Sequence, residues 1–305
     1  MISDSETESF DPVGAGEERA RAQDAQERDA RANAADAKSM VMSLAKGFRV
    51  LEVFEPHEPE LTLSQIAARA DLDSGTTYRI VKTLVMLGYL RPAEGKRYRL
   101  GWKVLDLGFN TIGRMDLHAI ARPILRSLVS PVNEAASIAV LDGPELVYVE
   151  RIQSPLGRLG VTQRIGARVP AYCTAVGHAI LAHLPLEQRI QILNARERRK
   201  LTPHTPVTIP EIESRLERVR QIGYALSDQD TVMGVRVIAA PIFDPDDRPW
   251  AAVSAAAPWM ACSLEEFVQH SAGPVMEAAR TLTRVLRISG STAILAPQGM
   301  AWGER

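Results

Sequence analysis

Cysteine is scarce: Cys173 and Cys262 are the only two in 305 residues. Two thiols so far apart give neither a disulfide framework nor a CxxC metal knuckle, so both read as packing residues in a reducing compartment. Also missing is any uninterrupted apolar run near the ~20 residues that a bilayer crossing requires. The first thirty residues are polar and acidic, where a secretion signal would be basic and then apolar. Together these absences predict a cytoplasmic protein. No GxSxG, P-loop, GxGxxG or HExxH segment occurs, and Cys173 has only His178 as a nearby base. The histidines (His57, His118, His178, His183, His204, His270) pair with no cysteine cluster, and His178 and His183 fall on different faces of a helix. The expectation is a non-enzyme with no metal and no cofactor.

A one-signed charge excess is absent too, the formal net charge being -1. Net charge hides segregation along the chain. Residues 1 to 39 hold twice as many acids as bases (Arg19, Arg21, Arg28, Arg31, Lys38) and almost no large apolar residue after Phe10. Such a segment buries too little apolar surface to offset chain entropy, which predicts a disordered acidic tail. From Arg79 to Arg99, by contrast, Arg79, Lys82, Arg91, Lys96, Arg97 and Arg99 face the single acid Glu94. At 46% hydrophobic residues the remainder can form true cores, and the length leaves room for about two domains of ~150 residues. We expect a first domain over 40–101, a connecting segment over 102–116, a second domain over 117–288 and a tail over 289–305.

Leu44, Phe48, Leu51 and Phe54 recur at helical spacing, predicting a helix from Val41 to Phe54, stopped by Pro56 and Pro59. Thr62 followed by Gln65 has the form of a capping box opening a helix over Leu63 to Arg69, with Leu63, Ile66, Ala67 and Ala70 inward. A tight turn through Asp71, Leu72 and Asp73 follows. Asp73 or Ser74 then caps a second helix running to Leu87, with Ile80, Leu84 and Leu87 inward. Two short helices about a tight turn make a helix-turn-helix. The second carries Ser74, Thr76, Thr77, Tyr78, Arg79 and Lys82: hydroxyls for base edges or phosphates, a ring for a thymine methyl, and a guanidinium that forks onto guanine. Gly88 ends it, and Tyr89 to Leu100 reads as a hairpin turning at Glu94-Gly95-Lys96. Such a hairpin is a wing, and Lys96, Arg97 and Arg99 on it, with Lys46 and Arg49 on the first helix, would hold the flanking phosphates of double-stranded operator DNA.

Beyond Trp102, strand-like runs (Ala136 to Leu141, Leu146 to Arg151, Val235 to Phe243, Trp250 to Ala255) alternate with helical stretches, so the fold class is α+β. Turns are expected at Asp142-Gly143 and Asp244 to Asp247. Val169 to Thr174 leads into a helix over Ala175 to His183, capped by Thr174 or Cys173, whose free N–H groups would suit a carboxylate.

The runs SLAKGFRVLEVF, LTLSQIAARADLDSGTTYRIVKTLVMLGYL and KRYRLGWKVLDLG, then AVLDGPELVYVERI, VPAYCTAVGHAILAHLP and GYALSDQDTVMGVRVIAAPIFD, resemble the IclR family of bacterial regulators over about residues 42 to 287. Within it, the PAYCTA stretch is similar to regulators of aromatic-acid degradation. The resemblance implies a winged helix-turn-helix DNA-binding domain over 40–101 joined by a linker helix over 102–116 to a GAF-like effector-binding domain over 117–288, assembly as a homodimer or homotetramer, and a small organic acid effector. Carried over by residue, it implies a pocket at Ala175, Val176, Ser227, Val237, Ser254 and Ala256. Val237 stands where a small-acid pocket has cysteine, and Ala256 where it has serine. A flatter aromatic acid therefore fits better than glyoxylate or pyruvate, with Tyr172, Cys173, Thr174, Met233 and Val235 as further contacts. The competing readings are a small oxo-acid regulator, a ligand-binding enzyme with a vestigial DNA domain, and a constitutive architectural binder.

Overall fold

The computed structural model describes residues 40–112, 117–130, 132–155, 157, 159 and 163–289. The acidic tail expected over 1–39, positions 113–116 of the linker, and all but Ser289 of the tail expected over 289–305 lie outside these. The chain divides at Leu107–Gly108 into two compact units.

In the first unit, α1 (Met42–Glu52), β1 (Leu61–Thr62), α2 (Leu63–Ala70), α3 (Ser74–Leu87), β2 (Leu90–Ala93) and β3 (Arg97–Leu100) follow in order, and α4 (Lys103–Ile112) begins at its end. The strands form one antiparallel sheet in the order β1-β3-β2, with Leu61 opposite Tyr98 and Arg91 opposite Arg99. The core gathers Val50, Leu61, Ile66, Ala70, Val81, Leu84 and Leu90. Each fully buried Leu or Ile there contributes ~1.5–3 kcal/mol by removing its surface from water. One inward face differs from expectation, and part of one apolar stripe lies outside the core. On α1, Leu44 and Phe48 stand in solvent while Val50 is the residue fully buried. On α3, Thr77, Val81 and Leu84 form the buried side and Leu87 is exposed. Both follow from which side of the helix the neighbours cover, and apolar spacing is silent about that.

The second unit holds α5 (Leu117–Leu128), β4 (Ala135–Asp142), β5 (Glu145–Gln153), β6 (Arg168–Pro170), α6 (Ala175–Leu181), α7 (Leu186–Asn194), α8 (Ile209–Ile222), β7 (Ala225–Asp228), β8 (Val235–Phe243), β9 (Pro249–Pro258) and α9 (Leu264–Ser289). All six strands join one antiparallel sheet in the order β6-β5-β4-β9-β8-β7. Residues from α5 and α9 pack on one face, against Ile138, Ile238, Val253 and Ala255. Residues from α6, α7 and α8 pack on the other, against Ala139, Ala239 and Ala252. The small strand residues let α6 lie close, and Gly177 takes the approach furthest: a Cβ there would sit 2.0 Å from the Ala171 carbonyl oxygen. The helix expected over Ala175 to His183 ends at Leu181. Among the described residues no helix is long and apolar enough to cross a membrane.

Candidate DNA-binding and effector-binding sites

The helix-turn-helix is fixed by hydrogen bonds within a few residues. Thr62 closes the expected capping box, its amide donating to Gln65 Oε1 at 2.9 Å while the Gln65 amide donates to Thr62 Oγ1. The turn bends through Asp71 at φ 51°, a left-handed conformation that short polar side chains tolerate. Asp73 is the cap of α3, its carboxylate accepting the Thr76 amide at 2.8 Å. The bonds from Thr76 hold that carboxyl below its ordinary pKa, because they favour the charged form. Gly88, at φ 84°, closes the helix. Lys103 adds a brace that apolar spacing does not foretell: its ammonium donates to the Leu87 carbonyl at 3.1 Å and lies over the Tyr89 ring.

On this frame Ser74, Tyr78, Arg79 and Lys82 are exposed and Thr76 is half-buried. Among the described residues no carboxylate pairs with Arg79 or Lys82. Thr77 departs from its expected place. Its side chain is fully buried and its hydroxyl donates to the Asp73 carbonyl at 2.8 Å, so it packs α3 and cannot reach a base. On the wing, Lys96, Arg97 and Arg99 are exposed, Arg99 lying 3.9 Å from Glu60. Lys46 and Arg49 are half-buried on α1.

In the second unit the register gathers residues distant in sequence. Ser227 pairs with Val237 and Val237 with Ala256, so three expected pocket residues form one cross-strand row. Ser254, in the next row, is opposite Ser137. Residues of α6, including Ala175 and Val176, pack on β8 and β9 over the same face. Val235 and Val237 are half-buried, whereas Met233 is 56% exposed in the turn before β8. Tyr172, Cys173 and Thr174 are buried, and the polar groups of Tyr172 and Thr174 are already committed. The Tyr172 hydroxyl donates to the Arg199 carbonyl. Thr174 donates to the Pro170 carbonyl and accepts the Gly177 amide at 3.0 Å. It is thus the cap of α6, but this helix of 7 residues carries little dipole to offer an anion.

Burial pushes the Cys173 thiol up to about 12 and the His178 imidazole down to about 4. The neutral ring donates its Nε2–H to the Tyr172 carbonyl at 2.7 Å, leaving it no role as a base toward Cys173. Among the described residues no group of three His, Cys, Asp or Glu is placed to hold a metal.

Sequence reasoning passed over two polar clusters. Asp230, buried behind Ser227, takes Arg215 at 2.6 Å. On the α6 face of the sheet, the Arg151 Nη1 donates to Ser137 Oγ at 3.0 Å while its buried Nε has no partner. A cleft of about 890 Å³ also runs along β7 between α8 and α9, lined by Arg215, Arg218, Ile222, Leu226, Asp228 and Leu264 among others. None of the expected effector residues lines it, and its Arg215 and Asp228 are already paired with Asp230 and Arg236.

The IclR helix-turn-helix domain model matches residues 43–94, and the bacterial transcriptional regulator IclR C-terminal model matches residues 109–284. The Pca regulon regulatory protein of Pseudomonas putida is 30% identical over 247 residues, 80% of this chain and 84% of that one. The transcriptional repressor IclR of Escherichia coli is 29% identical over 253 residues, 82% and 91% of the two chains. An IclR homolog from Microbacterium hydrocarbonoxydans, solved in complex with 4-hydroxybenzoate, superimposes with a TM-score of 0.70 at 26% identity, over 80% of this chain and 99% of that one. With a helix-turn-helix followed by an α/β effector domain, both matched in order, the chain belongs to the IclR family of DNA-binding transcriptional regulators.

Proposed function

We propose that this regulator reads a palindromic operator as a symmetric oligomer and answers to an aromatic carboxylic acid. The observation that carries the DNA half is the outward arc of α3, whose Arg79 and Lys82 are exposed and pair with no carboxylate among the described residues. Ser74, Thr76, Tyr78, Arg79 and Lys82 enter the major groove, while Lys46, Arg49, Lys96, Arg97 and Arg99 hold flanking phosphates. Fluorescence anisotropy with the DNA upstream of its own gene tests this. Affinity must fall steeply with salt as phosphate contacts release counterions, and a flat salt response overturns it.

For the effector half, the support is the row Ser227–Val237–Ala256, which offers apolar wall at the two positions where a small acid would need hydrogen-bond partners. Relatives named for the Pca regulon and the neighbour holding 4-hydroxybenzoate point the same way. Calorimetric titration decides: binding of pyruvate or glyoxylate with none of 4-hydroxybenzoate would overturn the aromatic reading. The exposed stripe of Leu44 and Phe48 on α1, with Val41 just before it, supports pairing of two chains through the first unit, since a monomer seldom shows such a row to water. Sedimentation as a monomer at micromolar concentration contradicts that. The acid acts by shifting a population between two settings of α4, the linker, and so the spacing of the two α3 helices.

A further inference from the structure

On the strand β5, Leu146 and Tyr148 face the α6 side of the sheet. Strict alternation would continue with Glu150 and send Arg151 to the opposite face. A β-bulge intervenes: Ala139 is opposite Tyr148 but Ile138 is opposite Glu150, leaving Val149 as the extra residue. Val149 therefore packs on the α5 and α9 face, where Glu150 meets Arg122 of α5, and Arg151 emerges on the α6 face opposite Ser137. Bulges re-aim side chains in this way, and this one places a guanidinium in the row Arg151–Ser137–Ser254, next to the row Ala135–Ala256–Val237–Ser227.

The guanidinium arrives without a counter-charge. Nη1 donates to Ser137 Oγ, and no carboxylate among the described residues pairs with it. Its Nε–H is buried and unpartnered. Among the described residues the Nε–Nη2 edge is thus the open half of a planar fork whose two parallel donors match one carboxylate. Tyr148, half-buried on the same face, has a phenol pKa pushed up by desolvation, and the pull of Arg151 opposes that rise. A buried cation left unpaired is costly, and native proteins keep such groups where a ligand completes them.

We propose that Arg151, oriented by Ser137, is the carboxylate-binding residue of the effector site, so that the effector is a monocarboxylate anion whose acid group lies at the β5–β4 side and whose body lies along β9 and β8. This rests on the sheet face being the effector site, and it moves the anion contact from the start of α6 to the guanidinium.

The test uses full-length protein, calorimetry and thermal melting, with 4-hydroxybenzoate, its neutral amide 4-hydroxybenzamide, and pyruvate as probes. The wild type should bind an acid and fail to bind the amide. Arg151→Gln should weaken that acid at least 100-fold while operator affinity stays within twofold, Arg151→Lys should recover part of the loss, and Ser137→Ala should weaken binding a fewfold. Without ligand, Arg151→Gln should melt no lower than the wild type, because it removes an unpaired charge. Equal acid affinity in Arg151→Gln, or amide binding as tight as acid, overturns the proposal and leaves the aromatic reading standing. Pyruvate binding that depends on Arg151, with no 4-hydroxybenzoate binding, sustains the proposal and sinks the aromatic reading. A ligand-free melt of Arg151→Gln several degrees below the wild type makes Arg151 a structural residue, and overturns the proposal whichever acid binds.

Discussion

Arg79 and Arg151 both lack a carboxylate partner among the described residues, and the two halves of the protein use that lack differently. Arg79 stands in water on the outward arc of α3, where an unpaired charge is fully hydrated and waits at little cost for a polyanion. Arg151 has its Nε buried on a sheet face beneath a helix, where desolvation lowers its pKa and weakens the empty state. The first unit is built to present charge. The second is built to hide it until something small arrives. A regulator needs both, since the operator contact must tolerate solvent and salt whereas the effector contact must discriminate one anion from the many in a cell.

The hardest way to break this contrast is to open the packing of the second unit alone. Gly177→Ala pushes a methyl into the Ala171 carbonyl, and should cost about 4 kcal/mol of stability in that unit, at the upper end for single substitutions. Operator-length DNA should still protect the first unit in a two-probe melt, and loss of both units together would show that they do not behave separately. Acid pH makes a milder cut along the same line. His178 titrates near 4 when folded against an ordinary 6.5, so the unfolded chain binds its proton first. Stability from this group is complete above pH 6.5 and is lost as pH falls toward 4, on the order of 3 kcal/mol. The one histidine among the described residues of the first unit, His57, is exposed rather than buried, so the melting of that unit should move less over the same window.

On the DNA side, Arg79→Ala with Lys82→Ala should weaken operator binding by about 100-fold, from the ~1–3 kcal/mol that a specific base contact is worth, and leave the effector titration unchanged. Unchanged operator affinity would remove α3 from the groove. The smallest effect separates neighbours one residue apart. Thr77→Val deletes a buried hydroxyl bonded to Asp73 and should cost about 1 kcal/mol of stability without altering operator specificity. Tyr78→Ala should do the reverse.

How much was legible follows the same division. The helix-turn-helix could be read because its signals are local: Thr62 with Gln65, Asp73 with Thr76 and Gly88 each act within four residues. The strand pairs Ala135–Asp142 with Glu145–Gln153 and Val235–Phe243 with Pro249–Pro258 matched the expected runs to within a few residues, since alternation and turn residues report on neighbours in the chain. Faces were harder. Thr77 groups with Ser74 and Tyr78 on composition, and Leu87 with Leu84 on spacing, because a helix pattern gives a period and not the side its neighbours occupy.

What the sequence determined unaided is therefore the caps, the turns, the basic hairpin and the family, all of which depend on hydrogen bonds or charges a few residues apart. The tertiary structure alone decided that Arg151 faces Ser137, because one extra residue at Val149 reverses the alternation and its position is set by pairing with a separate strand. The physical reason is range: a cap is satisfied by its own helix, but the side a strand residue takes is fixed by register with a partner elsewhere in the chain.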